Sequence, residues 1–312
     1  MSNSVNSEQI KTLRDKTGAG IMDCKKALLE TEGDIELAVD WLRKKGIASA
    51  QKKSSRVASE GLVGFVNEAN LCCLIEVNSE TDFVSKNIEF QEFVNNLLKV
   101  AIKSKMTLAE FMQQKFKDNL TIEDALKNIV AKIGENIVIR RLKYLETNTP
   151  SYSFGYYIHN KVTDNLGKIG CMVLANTKTN NTSNNQLSKK IAMHIAASKP
   201  IAMDRKDLDQ KLINKEKEIF KDQLQNSGKP ENIIEKILEG KINKYISEVT
   251  LLNQPWIMDP GKNVKNIISD FNNSNNENFV LDSFSLFVLG EGIEIVEKSF
   301  KEEVVSQIKE KE

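Results

Sequence analysis

The sequence predicts an α+β protein that opens with a small helical module and carries a helical hairpin late in the chain. Three observations point there: apolar residues recur at helical spacing over the first stretch, a strand–turn–strand–helix order appears twice in the middle, and two charged amphipathic runs flank a Ser227-Gly228-Lys229-Pro230 break.

In the first stretch Ile10 and Leu13, then Cys24, Ala27 and Leu28, then Ile35, Ala38, Val39 and Leu42 mark three short helices. Gly18, Gly33 and Gly46 are placed to end them, and Ser7 and Asp34 to cap the first and third. The polar, basic stretch from Gln51 to Ser59 reads as a linker.

From Gly61 the period changes to that of strands. Leu62 to Val66 and Leu71 to Val77 form a predicted hairpin about a turn at Glu68 to Asn70. A polar loop, Asn78 to Lys86, leads into a helix whose Phe93, Val94, Leu97, Leu98, Ala101 and Ile102 share one face. Thr121 is suited to cap a second helix, with Asp124 reaching back and Gly134 ending it, before a strand from Ile137 to Tyr144. The order then recurs, with strands at Tyr152 to His159 and Ile169 to Ala175, a turn around Asp164 to Gly167, and a helix from about Gln186 to Ser198. Two related α+β subdomains are the simplest account.

Between Asp207 and Val249, Leu208, Leu212, Ile219 and Leu224 precede the break, and Ile233, Ile237, Leu238, Tyr245 and Val249 follow it. Such a pair of runs predicts an antiparallel hairpin. Its narrow seam favours projection from the body, and two ordinary helices packed on the core remain the alternative. Beyond it lie an apolar motif at Gln254 to Pro260, a helix from Val264 to Phe271, an Asn-rich turn and a strand around Phe279 to Leu289. A final amphipathic segment, Ile293 to Ile308, has few anchors and is expected to become ordered only on a partner.

Composition narrows the function. In 312 residues, 44 Lys and Arg face 43 Asp and Glu, so the net charge of +1 offers no general attraction to nucleic acid or to an anionic membrane. No run approaches the roughly 20 apolar residues of a membrane helix. The opening MSNSVNSEQI lacks the basic and apolar regions of a signal peptide, so a cytoplasmic location is expected. Cys24, Cys72, Cys73 and Cys171 lack zinc spacing and read as buried small residues in a reducing compartment.

An active site is hard to assemble. The two histidines, His159 and His194, stand in no catalytic spacing, and Cys24 and Cys171 fall on apolar faces without a third group. Neither glycine-rich phosphate motif is present, and Thr17-Gly18-Ala19-Gly20 follows a helix, not a strand. The expectation is a protein that is no enzyme and takes no cofactor or metal.

Apolar side chains in polar loops suggest contact sites instead: Ile21-Met22 after two glycines, Phe83 within Glu80-Thr81-Asp82-Phe83-Val84, and Ile257-Met258 between Pro255 and Pro260. A Phe83 tucked under its own loop, and a buried connector at Ile257-Met258, stay open as alternatives.

Several blocks carry a family resemblance. The run from Leu13 to Leu28, LRDKTGAGIMDCKKAL, and Glu76-Val77-Asn78-Ser79-Glu80-Thr81-Asp82-Phe83-Val84 resemble signatures of the elongation factor Ts family. So do Ala131-Lys132-Ile133-Gly134-Glu135-Asn136-Ile137, the run AMHIAASKP from Ala192 to Pro200, Gln254-Pro255-Trp256-Ile257-Met258 and Gly290-Glu291-Gly292-Ile293-Glu294. The resemblance implies a ubiquitin-associated-like three-helix domain at 1–57 and core subdomains at 58–150 and 151–290. It further implies a coiled-coil hairpin inserted at about 205–249 and a C-terminal module at 291–312.

It also implies a guanine-nucleotide exchange factor that binds the GDP-bound form of elongation factor Tu. Asp82 and Phe83, flanked by Thr81 and Val84, would intrude on the GTPase domain and disturb its phosphate loop and Mg²⁺ site. By the same resemblance Ile21, Met22, Lys25 and Lys53 grip that domain, Ile133 and Gly134 support the loop, and His159, Ile257 and Met258 meet the partner's third domain. A homodimer or a 2:2 complex stays open. The chain departs from the family pattern at Ile21, where methionine is common, at Ser79-Glu80, and in the longer, tyrosine-rich segment before His159. The rival readings are a non-exchanging, chaperone-like interaction module and an enzyme built on the histidines.

Overall fold

The computed structural model describes residues 5–117, 120–225 and 230–294. Helices α1 (Ser7–Thr17), α2 (Ile21–Glu30) and α3 (Ile35–Lys53) close around Leu13, Cys24, Ala27, Leu28 and Ala38. Asp34 caps α3 as expected, but α1 is capped by Asn6, one residue before Ser7. Asn6 and Gln9 each satisfy the other's backbone N–H, a reciprocal pair that a lone serine cannot supply. Gly18 ends α1 in the left-handed conformation.

Gly46 does not end a helix. Helix α3 runs through it to Lys53 and takes up the start of the stretch that reads as a linker. The glycine serves close packing instead: a Cβ there would lie 3.1 Å from Ala131 Cβ, on the helix that covers the first sheet. Arg43 and Asp124, 3.6 Å apart, add a half-exposed ion pair at the rim of this contact.

Strands β1 (Glu60–Glu68), β2 (Leu71–Ser79) and β3 (Ile137–Glu146) form an antiparallel sheet, and β4 (Tyr152–His159), β6 (Ile169–Asn176) and β9 (Val280–Val288) form another. Between β4 and β6 the expected turn contains a short strand, β5 (Leu166–Gly167), which pairs with Gly64 and Val63 of β1. The first sheet is thus ordered β3-β2-β1-β5 and the second β4-β6-β9. Gly167 makes the crossing feasible, since a Cβ would stand 2.6 Å from the His159 carbonyl oxygen.

The sheets meet face to face, with Val63, Phe65, Cys72, Leu74 and Leu145 against Ile158, Met172, Leu174 and Phe287. Helices α4 (Ile88–Ala101), α5 (Leu108–Met112) and α6 (Ile122–Ile133) cover the outer face of the first sheet. Covered on both sides, β2 is buried at every position, which explains its unbroken Leu71-Cys72-Cys73-Leu74-Ile75 run. Thr121 caps α6, but Asp124 does not reach back; its carboxylate faces Arg43 and Lys127.

Helices α7 (Thr182–Ser198) and α10 (Val264–Asn275) cover the second sheet. Helix α10 outruns the expected Phe271 end because Asn276 provides a left-handed cap. Helices α8 (Gln210–Gln225) and α9 (Glu231–Val249) bury their own seam of Ile213, Leu224, Leu238, Ile242 and Ile246. At the base of the pair the entering and leaving chain is tied together, the Ile201 N–H donating to the Val249 carbonyl and the Leu251 N–H to the Ala202 carbonyl. Residues 226–229, which include Ser227, Gly228 and Lys229 of the predicted break, and the segment 295–312, which holds most of the predicted C-terminal module, lie outside the described residues, while Pro230 of the break is the N-cap residue of α9. Strands β7 (Pro255–Trp256) and β8 (Asp259–Asn263) make a small hairpin before α10.

All four cysteines are buried and free, as their apolar neighbours in sequence predict. Burial pushes the Cys72 and Cys73 thiols up to about 12 and leaves them inert. Among the described residues no helix is long and apolar enough to cross a membrane, and no cluster of His, Cys, Asp and Glu could hold a metal ion.

Candidate protein-binding site

The loop after β2 is held from both ends. Ser79 Oγ donates to the Thr81 carbonyl at 2.9 Å, and Ser85 N–H and Oγ donate to the Asp82 carbonyl at 3.1 and 2.6 Å. Thr81 donates its N–H and its hydroxyl to the two Glu135 carboxylate oxygens at 2.9 and 2.6 Å. In return the Asn136 N–H donates to Glu80, and Asn136 Nδ2 donates to the Arg56 carbonyl at 2.7 Å.

Within this frame Val84 drops into the core and Phe83 points out, 74% exposed. Val84, not Phe83, plugs the loop. Leaving a phenylalanine in water forgoes roughly 1.5–3 kcal/mol of burial, a sacrifice that a folding role does not explain. Val84 reaches a partner only through the loop it anchors, whereas Asp82 is itself exposed.

Helix α6 ends at Gly134, whose left-handed conformation turns the chain so that Glu135 and Asn136 meet the loop. Ile133 is half-buried against the first sheet's core. One residue earlier Lys132 pairs with Glu89 at 2.6 Å and passes so close to Gly18 that a Cβ there would lie 2.5 Å from Lys132 Cε. The α1–α2 corner therefore sits beside the loop's support. On it Ile21 and Met22, 54% and 74% exposed, face solvent together with Lys25. Lys53 lies between module and loop: burial and Arg56 lower its pKa, while Glu80 and Asp23 act against them. The structure thus gathers Ile21, Met22, Lys25, Lys53, Thr81, Asp82, Phe83, Val84, Ile133 and Gly134 around one corner.

Ile88, 71% exposed in the first turn of α4, joins them and was not singled out by the sequence. Its signal is positional, because it falls outside the apolar face that runs from Phe93 to Ile102.

A second apolar tip stands on the other sheet's side. Trp256 is buried, while Ile257 and Met258 at the turn of the β7–β8 hairpin are 41% and 48% exposed, which removes the buried-connector alternative. Buried His194 holds this turn, stacking on Trp256 with ring centroids 5.0 Å apart and accepting the Ile257 N–H on Nδ1 at 3.4 Å. Its Nε2–H donates to Gln254 Oε1 at 3.0 Å, and Gln254 Nε2 is committed to the carbonyls of Ser198 and Glu248. The imidazole is therefore needed neutral. Burial lowers its pKa below the usual value, against the opposing effect of the Gln254 bond.

Because the folded pKa lies below the unfolded one, this group's contribution is complete above the unfolded value and is lost as pH falls through the folded one. The drop in thermal midpoint between about pH 7.5 and about pH 5 is expected to shrink in His194→Gln, measured by circular dichroism. His159, exposed at the end of β4, contacts the Tyr157 hydroxyl at 3.2 Å. No hydrogen bond among the described residues ties it to Ile257 or Met258, or joins either histidine to an aspartate, glutamate or cysteine.

Glu76, inside the second sequence block, is fully buried on β2. Its carboxylate accepts from Arg140 Nη1 at 2.9 Å, from Arg141 Nε and from the Gly290 N–H at 2.9 Å. Burial alone would raise its pKa, but the Gly290 N–H and the two guanidinium groups outweigh it and hold the carboxyl below its usual value. This network ties the end of β9 to the first sheet.

With this geometry in place, comparison with known proteins gives one answer. The family model described as Elongation factor TS matches residues 80–291. The elongation factor Ts of Bartonella tribocorum is 42% identical over 307 residues, covering 98% of this chain and 99% of that protein. That of Rhodospirillum centenum is 43% identical over 298 residues, covering 95% and 96%. That of Rickettsia felis is 40% identical over 304 residues, covering 97% of each. Identity at this level along nearly the whole length means that the chain belongs to the elongation factor Ts family.

Proposed function

We propose that this chain is a guanine-nucleotide exchange factor for elongation factor Tu, acting in the cytoplasm on the GDP-bound form. The observation that carries the reading is Phe83, a large apolar ring held in water by a loop whose other members are tied down. Asp82 and Phe83 press into the GTPase domain and loosen its phosphate loop and Mg²⁺ site. Ile21, Met22, Lys25 and Lys53 grip the same domain, and Ile133 and Gly134 back the loop. Ile257 and Met258, with His159, hold the partner's third domain. Residues 1–57 act as a ubiquitin-associated-like module, and 205–249 as a coiled-coil insertion. No bond is made or broken by this chain.

Magnitudes support such a division of labour. A thousandfold loss of GDP affinity is about 4 kcal/mol of coupling. One phenylalanine supplies roughly 1.5–3 kcal/mol, so the other contacts must hold the partner while the loop intrudes. The test mixes the full chain with the GTPase carrying fluorescent GDP. Release is expected to accelerate with concentration to a plateau. Binding without acceleration would leave only a docking or chaperone-like module.

A further inference from the structure

Glu135 holds the exposed loop from outside it. It lies in the turn between α6 and β3, 54 residues from the loop it touches, and both its oxygens are spent on the one residue Thr81. Across the same gap Glu80 holds the backbone of Asn136. The two glutamates therefore cross, each binding the residue next to the other. A single bond would let the loop swing about it, but a crossed pair fixes both its position and its rotation. Phe83 stands two residues beyond Thr81, and on its far side buried Val84 and the turn bonds of Ser85, Lys86 and Asn87 hold the chain.

We infer that Glu135 is the positioning residue of the exchange loop, setting the orientation of Phe83 before the partner arrives. An unclasped loop samples many orientations, and the ordering cost then falls on the encounter instead of on folding. The inference rests on the exchange reading above and adds to it a residue that needs no contact with the GTPase. Glu135 acts through Thr81, and Asn136, through its bond to the Arg56 carbonyl, extends the clasp to the chain leaving the helical module.

Stimulated release of fluorescent GDP tests this in the full chain, reading the maximal rate and the half-saturating concentration separately. Glu135→Ala is expected to lower the maximal rate about tenfold, the worth of hydrogen bonds to a charged group. Thr81→Val, which deletes one of the two donors, should lose less, and Thr81→Ser, which keeps it, should stay above Thr81→Val. The decisive variant is Phe83→Ala combined with Glu135→Ala. If Glu135 works only by aiming Phe83, the combination is no slower than Phe83→Ala alone. An equal loss in both backgrounds, or a wild-type rate for Glu135→Ala, overturns the inference. Should Glu135→Ala fail to fold, equal rates for Thr81→Val and Thr81→Ser overturn it. A wild-type rate for Phe83→Ala would instead refute the exchange reading, and so the two failures are told apart.

Discussion

Phe83→Ala is expected to slow stimulated GDP release about ten- to a hundredfold while leaving affinity for the GDP-bound GTPase within about threefold. The range follows from the roughly 1.5–3 kcal/mol that burying one phenyl ring is worth. The ring is already exposed in the free chain and Val84 carries the packing, so folding should not suffer. Reciprocity supplies a second measurement. Whatever factor the variant loses in weakening GDP, it must also lose in its preference for the nucleotide-free GTPase. Isothermal titration against both forms of the partner, beside stopped-flow release, reads both quantities. A wild-type release rate would take the loop out of the mechanism.

Glu76→Ala is expected to cost about 3 kcal/mol of stability and to lower the thermal midpoint by roughly 5–10 °C. The carboxylate is fully buried, and its loss strips the half-buried Gly290 N–H of its acceptor and two half-buried guanidinium groups of their counter-charge. Those arginines keep some contact with water, which holds the figure at the lower end for a broken buried pair. Glu76→Gln keeps the shape and loses only the charge, so it should fall between. The sign with pH follows from the depressed carboxyl: its contribution is present above the unfolded value and disappears as pH falls through the folded one. A midpoint within about 1 °C of the parent would show that the network is dispensable.

Much of the fold was legible because each segment's apolar period matches the side it buries. The β4 boundaries and the ends of α1 and α6 at Gly18 and Gly134 coincide with their sequence signals. Misreadings arose where a distant partner decides. Gly46 looks like a terminator until Ala131 is beside it, and Leu166-Gly167 looks like a turn until β1 receives it. The site divides the same way. The exposure of Phe83 could not be read locally, because it depends on Val84, its neighbour, being the residue that fills the core. His194 reads as a lone helical histidine, and only the folding of Gln254, Trp256 and Ile257 onto it gives it a role.

The small strand β5 has a mechanical consequence. It leaves the second sheet's chain to pair with β1 and then returns as β6, so a stitch joins the two sheets besides their shared apolar face. Opening a hinge there would break ladder hydrogen bonds and wet a buried surface at once. The corner bearing Phe83 and the turn bearing Met258 consequently keep a set spacing, like the jaws of a locked caliper. Under the proposed function such a tool would gauge its object: a GTPase would be gripped at both places only when its own domains stand the matching distance apart.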